Sequence, residues 1–538
     1  MLRGCNDLPS PVPATVRDAW RESGAWTPET LVDRFASAVT ARPGTVAVSE
    51  GGRTLSYAEL ERLSAGVATG LAAIGVQPGD TVAYQLPNWW ESAVLAWGAL
   101  RAGAVLVPIT PTLGAREVGH IVSSTGARVC AVPEVFRGVD HPAVLAECGF
   151  DGEVVVVRGS DGSWDRLTGW HGPVPDAGRD AGDAAVVLHT SGTTSLPKGV
   201  VHSHQSLRHE ADSLSLAHGL RSDDRLLLPM PVTHIAGLMY GILFPCVLGI
   251  PSVLMQRWDP AAALALVEAE TVTYMIGTPV FLRTMVDDAT FATTDVSSLR
   301  LWSMGGAGVA PSMVHEAAEA FGCWAKRTYG STELPTLTTA LPGDPVSVCT
   351  DTDGRLVGFA EGRVVDPSTG TDVADGEAGE LWGRTPEMLA GYLDSDHDAE
   401  AFVDGWFRTG DMAVREDGCF RIVDRLKDMI IRGGENISAR EVEDVLATHP
   451  GVADVAVVAM ADPVMGEKTC AYIVVSGGAS PDLESLAAHC ESAGLARFKW
   501  PERVVVRDEL PRTPSGKVHK PTLREDLASA AAAVRTGA

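Results

Sequence analysis

The chain predicts an α/β fold: parallel sheets with covered faces, then a small β-rich subdomain and a smaller α+β unit. Three observations carry this expectation. Short apolar runs alternate with helical patterns until about Gly354, short strands separated by Gly and Asp turns follow, and a helix–strand–strand–helix pattern comes last.

Ser56 and Glu59 have the spacing of a capping box, and Leu60, Leu63, Val67 and Leu71 then share one helical face until Gly75, which predicts a helix. Residues 81–86 and 104–109 read as strands around a helix over 91–101. Strand, helix and strand at this spacing imply parallel pairing. Further strands are expected at 184–188, 225–228 and 273–276, and the turns Asp375-Gly-Glu and Asp417-Gly punctuate the β-rich stretch. The last unit predicts helices over 439–447 and 483–490 and strands over 453–459 and 469–475. A domain boundary is expected in the charged stretch Asp424-Arg-Leu-Lys-Asp, giving a large domain over 1–426 and a small one over 427–538. The alanine-rich tail after Leu527 is expected to fray.

With 538 residues the chain exceeds one hydrophobic core. Its 43 basic and 69 acidic residues give a net charge of −26, which opposes general attraction to nucleic acid or anionic lipid. The nine cysteines contain no CxxC pair, so neither a disulfide framework nor a zinc site is implied. The N-terminus lacks the apolar core of a signal peptide and the C-terminus carries no peroxisomal address, so a cytoplasmic protein is expected, with monomer and homodimer both open. Residues 230–255 are uncharged and long enough to cross a bilayer. Pro231, Pro245, Pro251, Gly237, Gly241 and Gly249 punctuate them, so they are expected to form a buried helix with neighbouring turns and a strand.

The strongest local signal is Thr190-Ser191-Gly192-Thr193-Thr194-Ser195-Leu-Pro-Lys198-Gly, directly after an apolar run. Small hydroxyl residues and glycine let backbone N–H groups approach phosphate oxygens, and Lys198 adds a cation. The spacing is not that of a Walker A loop, and the same composition also fits a solvated turn. Other blocks follow: Pro229-Met-Pro-Val-Thr-His234, Gly305-Gly306-Ala307, Tyr329-Gly330-Ser-Thr332-Glu333, Gly405-Trp-Phe-Arg-Thr-Gly-Asp411, Asp424-Arg425-Leu-Lys427-Asp, Gly433-Gly434-Glu435-Asn, and Pro511-Arg-Thr-Pro-Ser-Gly-Lys517.

In this order the blocks resemble the adenylate-forming superfamily of acyl- and aryl-CoA ligases, luciferases and peptide-synthetase adenylation domains, over nearly the whole chain. The resemblance implies stacked parallel-type α/β sheets with a small β-barrel-like subdomain, and a mobile C-terminal α+β domain. It also implies ATP, Mg2+ and a small-molecule carboxylic acid as reactants, with CoA as acceptor substrate. By resemblance Thr190 to Thr194 and Lys198 hold phosphates, Thr332 bonds the α-phosphate and Glu333 holds the metal. Asp411 and Arg425 resemble the ribose contacts, and Gly306, Ala307, Tyr329 and Gly330 the adenine slot. Lys517 resembles the lysine that reaches the α-phosphate and the substrate carboxylate, and Lys427 the hinge of a rotation that brings Gly433, Gly434 and Glu435 to a CoA channel.

His234 resembles the histidine of acyl- and aryl-CoA ligases at a position where peptide-synthetase domains for α-amino acids usually carry an aspartate. With Gly305, Ile235, Gly237 and Tyr240 it is expected to shape a pocket for an apolar acid of modest size. Two departures from the common pattern stand out: His189 replaces a frequent tyrosine, and Ser195 a frequent glycine. The short-chain fatty-acid and cyclohexanecarboxylate CoA ligase branch is the expected function. A carrier-protein thiol, an amine or a small inorganic nucleophile as acceptor remains open, as do a non-catalytic nucleotide-binding homologue and a luciferase-like oxygenase.

Overall fold

A computed structural model describes residues 10–174, 176–190, 196–476, 481–513 and 517–536. By internal contacts the chain groups into two compact units. The first comprises residues 1–361 and 383–407, the second residues 362–382 and 408–538.

The first unit holds two mixed sheets. In the nine-stranded sheet six parallel strands lie in the order Trp324–Tyr329, Leu301–Gly305, Tyr274–Gly277, Leu226–Leu228, Ser252–Leu254 and Val46–Glu50, with short antiparallel strands at both edges. In the seven-stranded sheet Ala184–Thr190 pairs parallel with Val105–Pro108 and antiparallel with Lys198–Ser203. The inner strands are apolar runs buried on both faces, as covered parallel sheets require.

The expected helix after Ser56 spans Tyr57–Ala73, and the reciprocal Ser56–Glu59 capping box is formed. It packs on Trp90–Arg101, whose Trp97 stacks on Phe35 with ring centroids 4.3 Å apart. The uncharged segment is interior to the same unit. It forms a helix over Ile235–Leu238, a π-helical turn over Met239–Leu243, a helix over Phe244–Leu248 and a strand over Ser252–Leu254. Tyr57 Oη donates to the carbonyls of Pro245 and Ile250 at 3.0 and 2.9 Å, satisfying the backbone where the helix stops. Among the described residues no helix is long and apolar enough to cross a membrane.

The β-rich stretch forms a five-stranded sheet. In the second unit the long strands Val452–Asp462 and Gly466–Val475 pair antiparallel. The helices Ala439–Leu446 and Leu483–Ser492 cover them through Val442, Leu446, Val457, Ile473 and Leu486. The expected fraying after Leu527 is corrected. A helix runs over Lys520–Thr536, because its alanines have the highest helix propensity and Leu523 and Leu527 anchor its first turns in the core.

Candidate active site

In the first unit the site grows from carboxyl ends of parallel strands, where open α/β sheets hold ligands. Gly305 ends one strand and pairs with Thr328 of the next, which brings Gly305-Gly306-Ala307 beside Tyr329. The chain then turns tightly. Leu337 N–H bonds Tyr329 O at 2.9 Å and Ser331 N–H bonds Leu334 O at 2.7 Å, fixing Thr332 and Glu333 between them. A Cβ at Gly330 would stand 1.9 Å from Pro335 O, so the turn excludes any side chain there.

Two tethers that sequence reasoning missed hold this turn. His202 Nε2 lies 2.7 Å from Thr332 O. Burial lowers the His202 pKa to about 4, so the ring is neutral at pH 7 and Nε2 carries the proton donated to that carbonyl. Tyr392 Oη donates to Glu333 Oε1 at 2.9 Å, and Leu389 N–H donates to Glu333 O at 2.8 Å. Both tethers spring from one sheet edge, since Tyr392 pairs with Val200 and His202 lies on the same strand as Val200. Thr190 and Lys198 face each other at the paired ends of the strands Ala184–Thr190 and Lys198–Ser203. The Lys198 ammonium is 5.8 Å from the centroid of the Tyr392 ring. Ser191, Gly192, Thr193, Thr194 and Ser195 lie outside the described residues.

His234 caps the start of Ile235–Leu238, with its N–H bonded to Pro231 O at 3.0 Å and its carbonyl to Leu238 N–H at 2.8 Å. The segment before it is clamped by residues the sequence reading passed over. Asn88 accepts from Val232 N–H and donates to Met230 O and Met255 O, and Tyr84 Oη donates to Val232 O at 2.8 Å. Ile235 is half-buried, while Gly237 and Tyr240 are buried. Tyr240 faces inward among His218, Phe244 and Tyr274.

In the second unit Asp411 and Arg425 stand opposite each other on paired strands, Arg425 Nε 3.2 Å from Asp411 Oδ1. Lys427 follows in the short 3-10 turn Leu426–Asp428, within electrostatic reach of both. Gly433 and Gly434, at φ 60° and 93°, form the tight turn between Ile430–Arg432 and Glu435–Ile437, and Gly433 N–H bonds Met465 O. Glu435 is exposed at the start of the second strand. Lys517 is exposed too, and its carbonyl accepts from Thr513 N–H at 2.7 Å. Thus the first unit brings Gly305, Gly306 and Ala307 beside Tyr329 and holds Thr332 and Glu333 to the sheet edge of Lys198, and the second brings Asp411, Arg425 and Lys427 together.

Among the described residues no group of three or more His, Cys, Asp or Glu gathers in metal-holding geometry. Glu333 presents one carboxylate, and an Mg2+ ion of the kind bound through one or two carboxylates and substrate phosphates fits that single oxygen donor.

The family model for AMP-binding enzymes matches residues 35–393, and that for the AMP-binding enzyme C-terminal domain matches residues 441–517. The medium-chain fatty-acid–CoA ligase of Escherichia coli K12 is 33% identical over 95% of this chain and 93% of its own. The salicyl-AMP ligase / salicyl-S-ArCP synthetase of Mycobacterium tuberculosis H37Rv is 32% identical over 98% and 96%. The crystal structure of ATP-bound MatB from Rhodopseudomonas palustris superposes with a TM-score of 0.85 at 27% identity, covering 93% of this chain and 99% of that one. Matches to both family models, joined to relatives that are similar over nearly the whole chain, place it in the AMP-binding, adenylate-forming enzyme family.

Proposed function

We propose that the protein activates a carboxylic acid with ATP and passes the acyl group to the thiol of CoA, in the cytoplasm. The observation that carries this reading is the Thr332–Glu333 turn, tied by His202 and Tyr392 to the strand that leaves the phosphate loop. A preset turn of this kind can meet the charge that develops as a substrate carboxylate oxygen bonds the α-phosphorus and pyrophosphate leaves. Thr332 would bond the α-phosphate. Glu333 would hold Mg2+, which neutralises phosphate charge when bound. Asp411, paired with Arg425, would accept the ribose hydroxyls, and Lys517 would reach the α-phosphate and the carboxylate. His234 would stand where acyl pocket and thiol channel meet, and the adenine would lie against Tyr329 and Gly306-Ala307.

After adenylation a rotation about Lys427, with the domain boundary at 426/427, would bring Gly433, Gly434 and Glu435 to the thiol channel. The thiol sulfur then bonds the acyl carbon and AMP leaves. The relative named for fatty-acid–CoA ligation supports CoA as acceptor, and the one named as a salicyl-S-ArCP synthetase supports a carrier thiol as the second reading. Pyrophosphate release across an acid panel, then turnover with CoA against carrier protein, tests the assignment. Release with no acid would refute activation, and turnover confined to carrier protein would replace CoA.

Two predictions arise from this arrangement. Asp411→Ala is expected to weaken ATP binding by about tenfold to a hundredfold, the worth of hydrogen bonds to a charged acceptor, with the melting temperature measured alongside to separate binding from folding. Unchanged ATP affinity in titration calorimetry would count against the ribose role. Tyr392→Phe removes only the donor to Glu333 and is expected to raise the Mg2+ concentration at half-maximal rate. Restoration of the rate at saturating Mg2+ marks a positioning residue, whereas a loss that Mg2+ cannot restore points to a structural role.

A further inference from the structure

A cavity of about 350 Å³ opens at the other end of the strands that build the active site. Its wall includes His218, Arg221, Arg300, Trp324, Pro342 and Asp344, none of which has a part in the reaction scheme. Arg300 directly precedes the strand Leu301–Gly305 and Trp324 begins the strand Trp324–Tyr329, so the cavity lies at their amino ends. Gly305 and Tyr329 stand at the carboxyl ends, roughly 13–17 Å away at about 3.3 Å per residue.

Cations outweigh anions around this cavity. Arg300 forks onto the buried Asp224 carboxylate through Nε and Nη2, and Nη2 also reaches Gly219 O at 3.1 Å, but Nη1 has no partner among the described residues. Arg221 is exposed, and no described carboxylate pairs with it. Asp344 is already held, its Oδ1 accepting from Arg355 Nε at 3.0 Å and its Oδ2 from Leu341 N–H at 2.8 Å. A third cation is buried beside Trp324. Lys326, 0% exposed, donates from Nζ to Ala217 O at 2.8 Å and Ala340 O at 2.7 Å, and its ammonium lies 4.2 Å from the centroid of the Trp324 ring. No described carboxylate pairs with it, and burial, which Asp344 offsets in part, lowers its pKa to about 7. His218 is also 0% exposed, and neither ring nitrogen has a partner among the described residues. Burial and the charges of Lys326 and Arg300 keep that ring neutral, so it carries one N–H donor with no acceptor. Buried donors and charges are normally paired, and this wall leaves both in surplus.

We propose that this cavity is a second ligand site, separate from the ATP site, which binds the dianionic phosphate of a free phosphate ion or of a compact phosphate ester. Arg221 and the Nη1 edge of Arg300 supply N–H donors in the planar arrangement that matches phosphate oxygens. Lys326 adds positive potential through a wall that water does not screen. A dianion answers two uncommitted guanidinium edges more fully than a single carboxylate does, and a cationic ligand would be repelled by them. Trp324 and Pro342 offer an apolar flank to the body of an ester. The site uses no residue of the reaction scheme, so it stands or falls independently of acid activation.

The test is titration calorimetry of the full chain with inorganic phosphate and with phenyl phosphate, each with and without saturating α,β-methylene-ATP and Mg2+ to fill the nucleotide site. One site with a Kd of about 1 mM or tighter is expected, the range that a few charged hydrogen bonds supply, and it should persist when the nucleotide site is full. Arg221→Glu is expected to weaken it by about tenfold or more, whereas Arg62→Glu, the same charge change on the exposed face of the helix Tyr57–Ala73, should leave it unaltered. Tighter binding of phenyl phosphate, by roughly threefold or more, identifies an ester flanked by Trp324, and equal affinity identifies the free ion. Absence of saturable binding, loss of binding when the analogue fills the nucleotide site, or equal losses in Arg221→Glu and Arg62→Glu overturns the proposal. So does full affinity in Arg221→Glu. Should the charge reversal fail to fold, Arg221→Gln takes its place, with the same loss expected and full affinity again overturning the site.

Discussion

Lys517→Ala is expected to slow acyl-adenylate formation by about 100- to 1,000-fold, the ~2.7–4 kcal/mol that one preorganised donor to a developing anion is worth. Transfer from supplied acyl-adenylate to the thiol should stay at the wild-type rate, because the lysine is proposed to serve only the adenylating arrangement. The Lys517 side chain is exposed, and Thr513 N–H donates to Lys517 O. The melting temperature, measured in parallel, separates a lost catalytic contact from a lost structural one. Pyrophosphate exchange and a chase from supplied acyl-adenylate read the two half-reactions separately. Equal losses in both would remove the assignment of Lys517 to one step.

Much of this molecule was legible in the chain because local signals and packing agree. The Ser56–Glu59 box formed as read, and the apolar runs at 184–188, 225–228 and 273–276 became sheet strands within a residue or two of the expected ends. Composition misled at the C-terminus, where an alanine-rich stretch, favoured by helix propensity, prolongs a helix begun by anchored leucines. The site was legible as blocks and not as contacts. Tyr392 reaches Glu333 across 59 residues of chain, and His202 reaches Thr332 across 130. These pairs depend on strand order, which no local spacing encodes.

Lys427→Pro is expected to leave adenylation measurable and to suppress transfer to the thiol by tenfold or more, roughly the smallest loss that marks an obstructed conformational step. Proline locks φ near −65° and restricts the preceding residue as well, so both Leu426 and position 427 lose the freedom that a rotation there requires. The short turn Leu426–Asp428 is tied off by Met429 N–H to Arg425 O, and a proline at 427 takes no donor from that bond. Lys427 also carries charge beside Arg425 and Asp411, so Lys427→Ala is the necessary companion, removing the charge while leaving the backbone free. Normal transfer in the alanine variant with suppressed transfer in the proline variant identifies a hinge. Equal suppression in both assigns the effect to charge. Single-turnover formation of acyl-adenylate followed by a CoA chase resolves these cases. Wild-type transfer in the proline variant places the rotating bond elsewhere, or shows that the natural acceptor is reached without rotation.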